Sequence, residues 1–173
     1  MRLLKWVASL ALIAGLSSYA VSWNHYRAQL PPGLGLWWRV YAQNRTWGFG
    51  PGGNETGFNA FVLPAGAAER VRSGGTALLA RLAPESEWRE TPVPSEPPWV
   101  AEAGDRSVEL EPGSVSVLAY LGRYGFFIDL PQTRRTRFDA AIRAPGSFYA
   151  FGRGGRVIVI SPPQKRAWVA YAG

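Results

Sequence analysis

The strongest structural signal in the chain is residues 147–171, SFYAFGRGGRVIVISPPQKRAWVAY. Runs rich in β-branched and aromatic residues alternate here with turn-forming residues, which is typical of consecutive β-strands. The runs are residues 147–151, 156–160 and 166–171, and the turns are residues 152–155 and 162–165. Connections of this length join neighbouring antiparallel strands. The stretch therefore predicts a three-stranded antiparallel meander.

A helical pattern precedes the meander at residues 65–82. Apolar residues recur there at spacings of three and four, which places them on one helical face. The tripeptide Ser73-Gly74-Gly75 interrupts the pattern and predicts either a kink or two short helices. A second helix is predicted over residues 115–124, with Ser114 as its N-cap.

Further strands are predicted at residues 36–41, 59–63, 126–130 and 138–143. The last of these rests on Phe138, Ala140 and Ile142, which alternate with polar side chains. Together these elements predict an α+β fold. We expect an N-terminal transmembrane or signal helix, followed by a small antiparallel sheet with one or two helices packed on one face.

The N-terminal run of residues 6–23, WVASLALIAGLSSYAVSW, contains no charged side chain. As a helix it would be about 27 Å long, close to the roughly 30 Å apolar thickness of a bilayer. Trp6 and Trp23 flank it, as aromatic residues flank membrane spans. Arg2 and Lys5 precede it, so the positive-inside rule predicts a cytoplasmic N-terminus. This favours a bacterial inner-membrane protein with most of its chain in the periplasm.

A cleavable signal peptide is the alternative interpretation of the same run. A basic start, an apolar stretch and the small-residue pattern Ser18-Tyr19-Ala20 are its usual parts, and cleavage near Ala20 would release a secreted protein. Both interpretations export the remainder of the chain. We therefore divide the sequence into an anchor or signal segment at 1–23, a spacer at 24–36 and an exported domain at 37–173.

The composition narrows the range of functions. The 173 residues include no Cys and a single His, His25, which argues against disulfides, a cysteine nucleophile and a histidine-based metal site. The net charge of +7 conceals an acidic middle, because residues 84–111 carry eight acidic and two basic side chains. This distribution argues against nucleic-acid binding. Proline is frequent in the same region and predicts an acidic Pro-rich loop at 84–112. No metal or cofactor is predicted.

A glycine-rich loop at residues 47–58, WGFGPGGNETGF, is one candidate ligand site. Aromatic rings beside an amide and a carboxylate can stack on a sugar or peptide and hydrogen-bond to it. Trp47, Phe49, Asn54 and Glu55 are therefore candidate binding residues. The alternative is a purely structural turn.

Arginines around the first hairpin of the meander form a second candidate site. Arg153 and Arg156 flank its turn, and Arg134, Arg135 and Arg137 belong to a predicted basic turn nearby in sequence. Such a cluster can bind phosphate, a lipid headgroup or an acidic partner. The alternative is a solvated hairpin tip.

Candidate catalytic residues are scarce outside the acidic segment. A glycosidase-type hydrolase needs two acids about 5–9 Å apart, and the candidates are Glu55, Asp129 and Asp139. The shortage favours a binding or scaffold module over an enzyme, with the membrane and an envelope protein or glycan as partners. The alternatives are an exported module that binds glycan or cell-wall material, and a hydrolase that uses Glu55.

Overall fold

The fold is described from a computed structural model of the chain. The described residues are 27–28, 30–36, 38–47, 54–101, 110, 113–124 and 128–173, together with Trp6, Gly15 and Ser17. Apart from those three positions, the predicted anchor at 6–23 lies outside the described residues, as does the connection 48–53. Within the part that is described, no helix is long and apolar enough to cross a membrane.

Six antiparallel strands form one sheet in these ranges, in the order β1-β2-β6-β5-β4-β3. The strands are β1 (Arg39–Trp47), β2 (Asn54–Val62), β3 (Arg89–Glu90), β4 (Phe148–Gly152), β5 (Arg156–Ser161) and β6 (Arg166–Ala172). The predicted C-terminal meander is confirmed as β4-β5-β6 and forms the middle of the sheet. Strand β2 then pairs with β6, so the N-terminal hairpin β1-β2 extends the meander on one side.

Both faces of this sheet are covered. Alternate residues of β5 point into two separate apolar clusters, Val157 and Val159 into one, Ile158 and Ile160 into the other. Burial on both faces explains why β5 reads as an unbroken apolar run rather than as an alternating one. We predicted helices on one face, and the structure places them on two.

Helix α1 (Ala65–Leu82) covers one face and confirms the predicted helix. Ala67, Ala68, Val71 and Leu79 are buried against the sheet. The interruption is a kink at Gly75, whose φ of 53° and ψ of −148° lie outside the helical region. The regular helix is therefore interrupted at Gly75, while Val71 before it and Leu79 after it are both buried.

Helices α2 (Val117–Gly122) and α3 (Gln132–Arg143) cover the other face, so the described residues hold three helices rather than the predicted one or two. Helix α2 begins two residues later than predicted, because Ser116 rather than Ser114 caps it by accepting a hydrogen bond from the Leu118 N–H. Residues 128–130 form no strand, and the rest of the strand predicted at 126–130 lies outside the described residues.

The strand predicted at 138–143 is wrong, because these residues belong to α3. Phe138, Ala141 and Ile142 are all buried, at helical spacings of three and four, whereas Ala140 is exposed. The alternation of Phe138, Ala140 and Ile142 was a coincidence of composition. The predicted basic turn at 134–137 is likewise the first half of this helix.

The segment predicted as a spacer contributes to the core at its C-terminal end. Leu30, Leu34 and Leu36 are buried in the same cluster as α1. A guanidinium nitrogen of Arg70 in α1 donates a hydrogen bond of 3.0 Å to the carbonyl oxygen of Gly33. Residues 30–36 are therefore packed onto the domain.

The Pro-rich region runs around the β3 edge of the sheet. Trp88 is buried in the cluster that contains α1, and Trp99 is buried in the cluster that contains α2 and α3. Between them lies the two-residue strand β3, which pairs with β4. The described part of the acidic loop at 84–112 is therefore held to the domain by one Trp on each face.

Candidate functional site

The end of the sheet at the β4–β5 hairpin brings several polar and aromatic side chains together. We call it the hairpin end and define it by Phe151 and Gly152 of β4, turn residues 153–155 and Arg156 of β5. It also includes Tyr120 of α2 and the two residues that follow this helix, Arg123 and Tyr124. Strand β6 also ends here, at Ala172.

Gly155 is the structural centre of the hairpin end. Its carbonyl oxygen accepts hydrogen bonds from the Tyr120 hydroxyl (3.0 Å), the Arg123 guanidinium (3.1 Å) and the Ala172 N–H (3.1 Å). Its φ is +61°, and a Cβ there would lie 1.9 Å from the carbonyl oxygen of Ala172. Only glycine fits this position, because the conformation is left-handed and the next strand approaches too closely.

Arg123 connects α2 to the last strand. The same terminal nitrogen that bonds Gly155 also donates to the Ala172 carbonyl oxygen at 3.0 Å. The guanidinium carbon lies 4.3 Å from the Tyr120 ring centroid and 4.9 Å from the Tyr124 ring centroid, within cation–π range. Burial raises the pKa of Tyr120 to about 12, although the charge of Arg123 opposes the shift. The Tyr120 hydroxyl is therefore neutral at physiological pH and acts as a donor.

A group of four aromatic rings supports the hairpin from the α2 side. Phe151 lies 5.9 Å from Trp99, 5.9 Å from Tyr149 and 6.2 Å from Tyr120, centroid to centroid. Trp99 and Tyr149 are buried, but Phe151 is 40% exposed because it stands at the end of its strand. Tyr124, next to Arg123, is 58% exposed.

A cleft of about 540 Å³ opens on the other side of the hairpin. Three distant parts of the chain line it: residues 28 and 30–32, residues 83, 85 and 86, and residues 152, 153, 156 and 158 of the hairpin. Its polar side chains are Glu85, Ser86, Arg153 and Arg156. A second cavity of about 500 Å³, lined by Arg27 and residues up to Leu36, shares Ala28 and residues 30–32 with it. We call the first space the hairpin cleft.

The electrostatics of the hairpin cleft are set by its two arginines. Arg153 is exposed at the turn, whereas Arg156 is half-buried. Burial lowers the pKa of Arg156, and the nearby hydroxyl groups of Tyr171 and Tyr120 oppose the shift. Glu85 is the carboxylate among the lining residues. The lining thus suits an anionic group with an apolar neighbour, since Leu30, Pro31 and Ile158 supply apolar surface beside the arginines.

The arginines predicted to join Arg153 and Arg156 lie elsewhere. Arg134, Arg135 and Arg137 are on α3, where the Arg134 guanidinium carbon lies 5.1 Å from the Tyr41 ring centroid. Gln164, in the β5–β6 turn at the opposite end of the sheet, donates to the Arg137 carbonyl oxygen at 2.9 Å. The cluster in the sequence is therefore divided between two ends of the sheet.

The residues predicted from the glycine-rich loop lie at the β1–β2 hairpin. Residues 54–58 continue β2 rather than a loop, and Trp47 pairs with Asn54 across the hairpin. Trp47 is half-buried and packs against the core. Phe49 and the side chain of Asn54 lie outside the described residues. Glu55 is exposed, and its backbone pairs with Gly173.

The three candidate catalytic acids lie on different elements. Asp139 is buried on α3, where its carboxylate accepts hydrogen bonds from the Val117 N–H (2.8 Å) and the Ser116 hydroxyl (3.1 Å). Asp129 is exposed, and its charge helps to raise the pKa of Tyr41, although burial is the larger cause. The described residues contain no group of three or more His, Cys, Asp or Glu arranged to hold a metal ion.

Sequence reasoning missed several residues of the hairpin end and of the hairpin cleft. No functional role was predicted for Arg123, Tyr124, Phe151 or Glu85. Tyr149 and Phe151 are nevertheless two apart in one predicted strand and must share a face. That spacing was the available signal for Phe151. No local pattern relates Glu85 or Arg123 to the hairpin.

Searches of protein-family models, of curated proteins and of solved structures found no match to this chain.

Proposed function

We propose that this chain is a single-pass, membrane-anchored protein of the bacterial envelope whose exported α+β domain is a binding or scaffold module. The hairpin cleft is its binding site. The observation that carries the proposal is the lining of this cleft, which Arg153 and Arg156 share with Ala28 and residues 30–32. These residues follow the apolar run 6–23 almost directly, so the binding site lies next to the predicted anchor.

The placement of the candidate acids supports a binding role over a hydrolytic one. Asp139 holds the start of α2 through two hydrogen bonds, which occupies both of its carboxylate oxygens. Glu55 and Asp129 are exposed on separate elements. Binding by the hairpin cleft requires no reacting group, only the arginines and the apolar walls that line it.

A reporter fusion tests the topology on which the proposal depends. Alkaline phosphatase joined by a linker after Gly173 is expected to be active, because it folds only when exported. A fluorescent protein that matures only in the cytoplasm, fused at the same site, is the matched control and is expected to be dark. An inactive phosphatase together with a bright fluorescent fusion contradicts the proposal.

Membrane extraction separates an anchor from a cleaved signal. The full-length protein is expected to stay in the membrane pellet after an alkaline carbonate wash, at the mass of the uncleaved chain. Release into the supernatant at a mass shortened by about the first 20 residues contradicts the anchor and supports cleavage near Ala20.

A further inference from the structure

We infer that the hairpin end docks against the anionic headgroup surface of the membrane that holds the predicted anchor. The inference rests on the proposed function, because it requires the anchor. It adds a ligand class to the site: phospholipid headgroups that carry negative charge.

The exposed aromatic residues of the hairpin end are the first support. Phe151 and Tyr124 present 40% and 58% of their surfaces to solvent, and both are large apolar side chains. Phe151 is held firmly, since three neighbouring rings lie within 6.2 Å of its centroid. Aromatic side chains with one apolar and one wet side are typical of the membrane–water interface.

The charges around these rings are the second support. Arg123 stacks on Tyr124, and Arg153 and Arg156 line the hairpin cleft beside Phe151 in sequence. The cleft lining also contains one side chain of opposite charge, Glu85. Glu55 is at the same end of the sheet but on β2, two strands from β5 and about 10 Å away. Gly173, whose backbone pairs with that of Glu55, lies beside the turn, where a Cβ on it would be 3.6 Å from the Gly154 carbonyl oxygen. At the β4–β5 hairpin, the three arginines therefore outnumber the one carboxylate side chain of the cleft lining.

The path of the chain is the third support. The apolar run ends at Trp23, and Ala28 already lines the hairpin cleft. Five residues span at most about 17 Å when fully extended. The hairpin cleft therefore lies within that distance of the predicted membrane exit.

The opposite end of the sheet also carries a basic, aromatic surface. The chain that leaves the predicted anchor passes the hairpin cleft before it arrives at this surface. Trp38 is 71% exposed, and its carbonyl oxygen accepts from the Val62 N–H, beside the start of β6. Residues 30–36 pack between the hairpin cleft and this point, on the α1 face. The strands separate the two ends by about 20 Å, so a short connection favours the hairpin end as the membrane side.

Site-specific labels in the full-length protein test the inference. Because the chain has no Cys, Phe151→Cys and Tyr124→Cys each give a single attachment point for an environment-sensitive fluorophore. Pro163→Cys, exposed at the β5–β6 turn, is the matched position at the other end. Each labelled protein is reconstituted into lipid nanodiscs of phosphatidylcholine alone or with added phosphatidylglycerol.

We expect the labels at 151 and 124 to shift to the blue, and to be quenched by nitroxide-bearing lipids, only in the phosphatidylglycerol discs. The label at 163 is expected to stay unchanged in both. Added salt should reverse the shift, because it screens headgroup charge. Arg153→Gln with Arg156→Gln should lower the docked-to-undocked ratio about tenfold or more. Arg137→Gln with Lys165→Gln removes the same charge at the other end and should leave it unchanged.

The outcomes distinguish this inference from the proposed function. Loss of the protein from the discs during an alkaline wash overturns both, because the anchor is then absent. A retained protein whose labels at 151 and 124 stay silent in both discs overturns only the docking, and makes an acidic protein the better candidate for the cleft. A response of the label at 163 alone overturns docking through the hairpin end and shows that the opposite end of the sheet, where Trp38 lies, faces the membrane.

Discussion

Asp139 shows how a single buried carboxylate organises one face of the domain. It is 7% exposed on α3 and bonds the Ser116 hydroxyl and the Val117 N–H at the start of α2. A guanidinium nitrogen of Arg143 lies 3.5 Å away, one helical turn along α3. Because α2 has six residues, this external carboxylate supplies much of the order at its N-terminus.

Replacing Asp139 tests this role. Asp139→Ala leaves the Val117 N–H buried without its acceptor, so we expect the free energy of unfolding to fall by about 2–4 kcal/mol. Asp139→Asn keeps one acceptor oxygen, and we expect a loss of about 1 kcal/mol. Urea denaturation measures both. Equal losses for the two variants would show that the negative charge, rather than the hydrogen bond to Val117, accounts for the effect, because Asn has the same volume as Asp.

A comparison of the wild type with Asp139→Asn also tests how the stability depends on pH. Burial raises the pKa of Asp139 above its ordinary value of 3.8, although the hydrogen bonds and Arg143 oppose it. The folded state therefore binds the proton of this carboxyl group more tightly than the unfolded state does. The stabilisation that protonation of Asp139 gives to the folded state is lost as the pH rises through the raised pKa. The stability of the wild type relative to Asp139→Asn should therefore fall as the pH rises from the ordinary carboxyl pKa of 3.8 through the raised pKa of the folded state.

At the scale of elements, α1 is shaped by one glycine. Gly75 sits in the kink at φ 53° and ψ −148°, a region that residues with a Cβ avoid. A Cβ at this position would meet nothing nearer than Phe148 at 3.9 Å. The cost of a substitution is therefore conformational rather than steric.

Gly75→Ala should lower the free energy of unfolding by about 1–3 kcal/mol. Gly66→Ala is the matched control, because Gly66 lies in the same helix without a positive φ and has open space around it. That change should be neutral or stabilise by up to about 1 kcal/mol, as expected for alanine in a helix. Thermal denaturation monitored by circular dichroism separates them. A stabilising Gly75→Ala would mean that α1 is straight in solution.

At the scale of the whole molecule, the packed domain begins before residue 37. Leu34 is 1% exposed and shares a cluster with Leu79 of α1. Leu34→Ala should therefore cost about as much as Leu79→Ala, about 2–5 kcal/mol in either case. Chemical denaturation of both variants provides the comparison. A Leu34→Ala protein as stable as the wild type would return residues 30–36 to the status of a free spacer.

The hairpin cleft could not be predicted from the sequence, because its walls come from distant parts of the chain. Arg153 and Arg156 were identified because they flank a recognisable turn, which is a local feature. The cleft beside them is lined by three groups of residues that are far apart in the chain: residues 28 and 30–32, residues 83, 85 and 86, and residues 152, 153, 156 and 158. Their proximity depends on how residues 30–36 and α1 pack against the sheet, and no local pattern encodes that packing.

The sequence by itself determined the elements whose pattern is local and strong. The β4-β5-β6 meander follows from apolar runs separated by turns, and α1 follows from spacings of three and four. Only the tertiary structure decided that residues 138–143 are helical, because burial of Phe138, Ala141 and Ile142 on one side outweighs a short alternating pattern. It also decided that Asp139 is a structural acceptor and that Gly155 joins α2 to the last strand, since both depend on contacts between groups that only folding brings together.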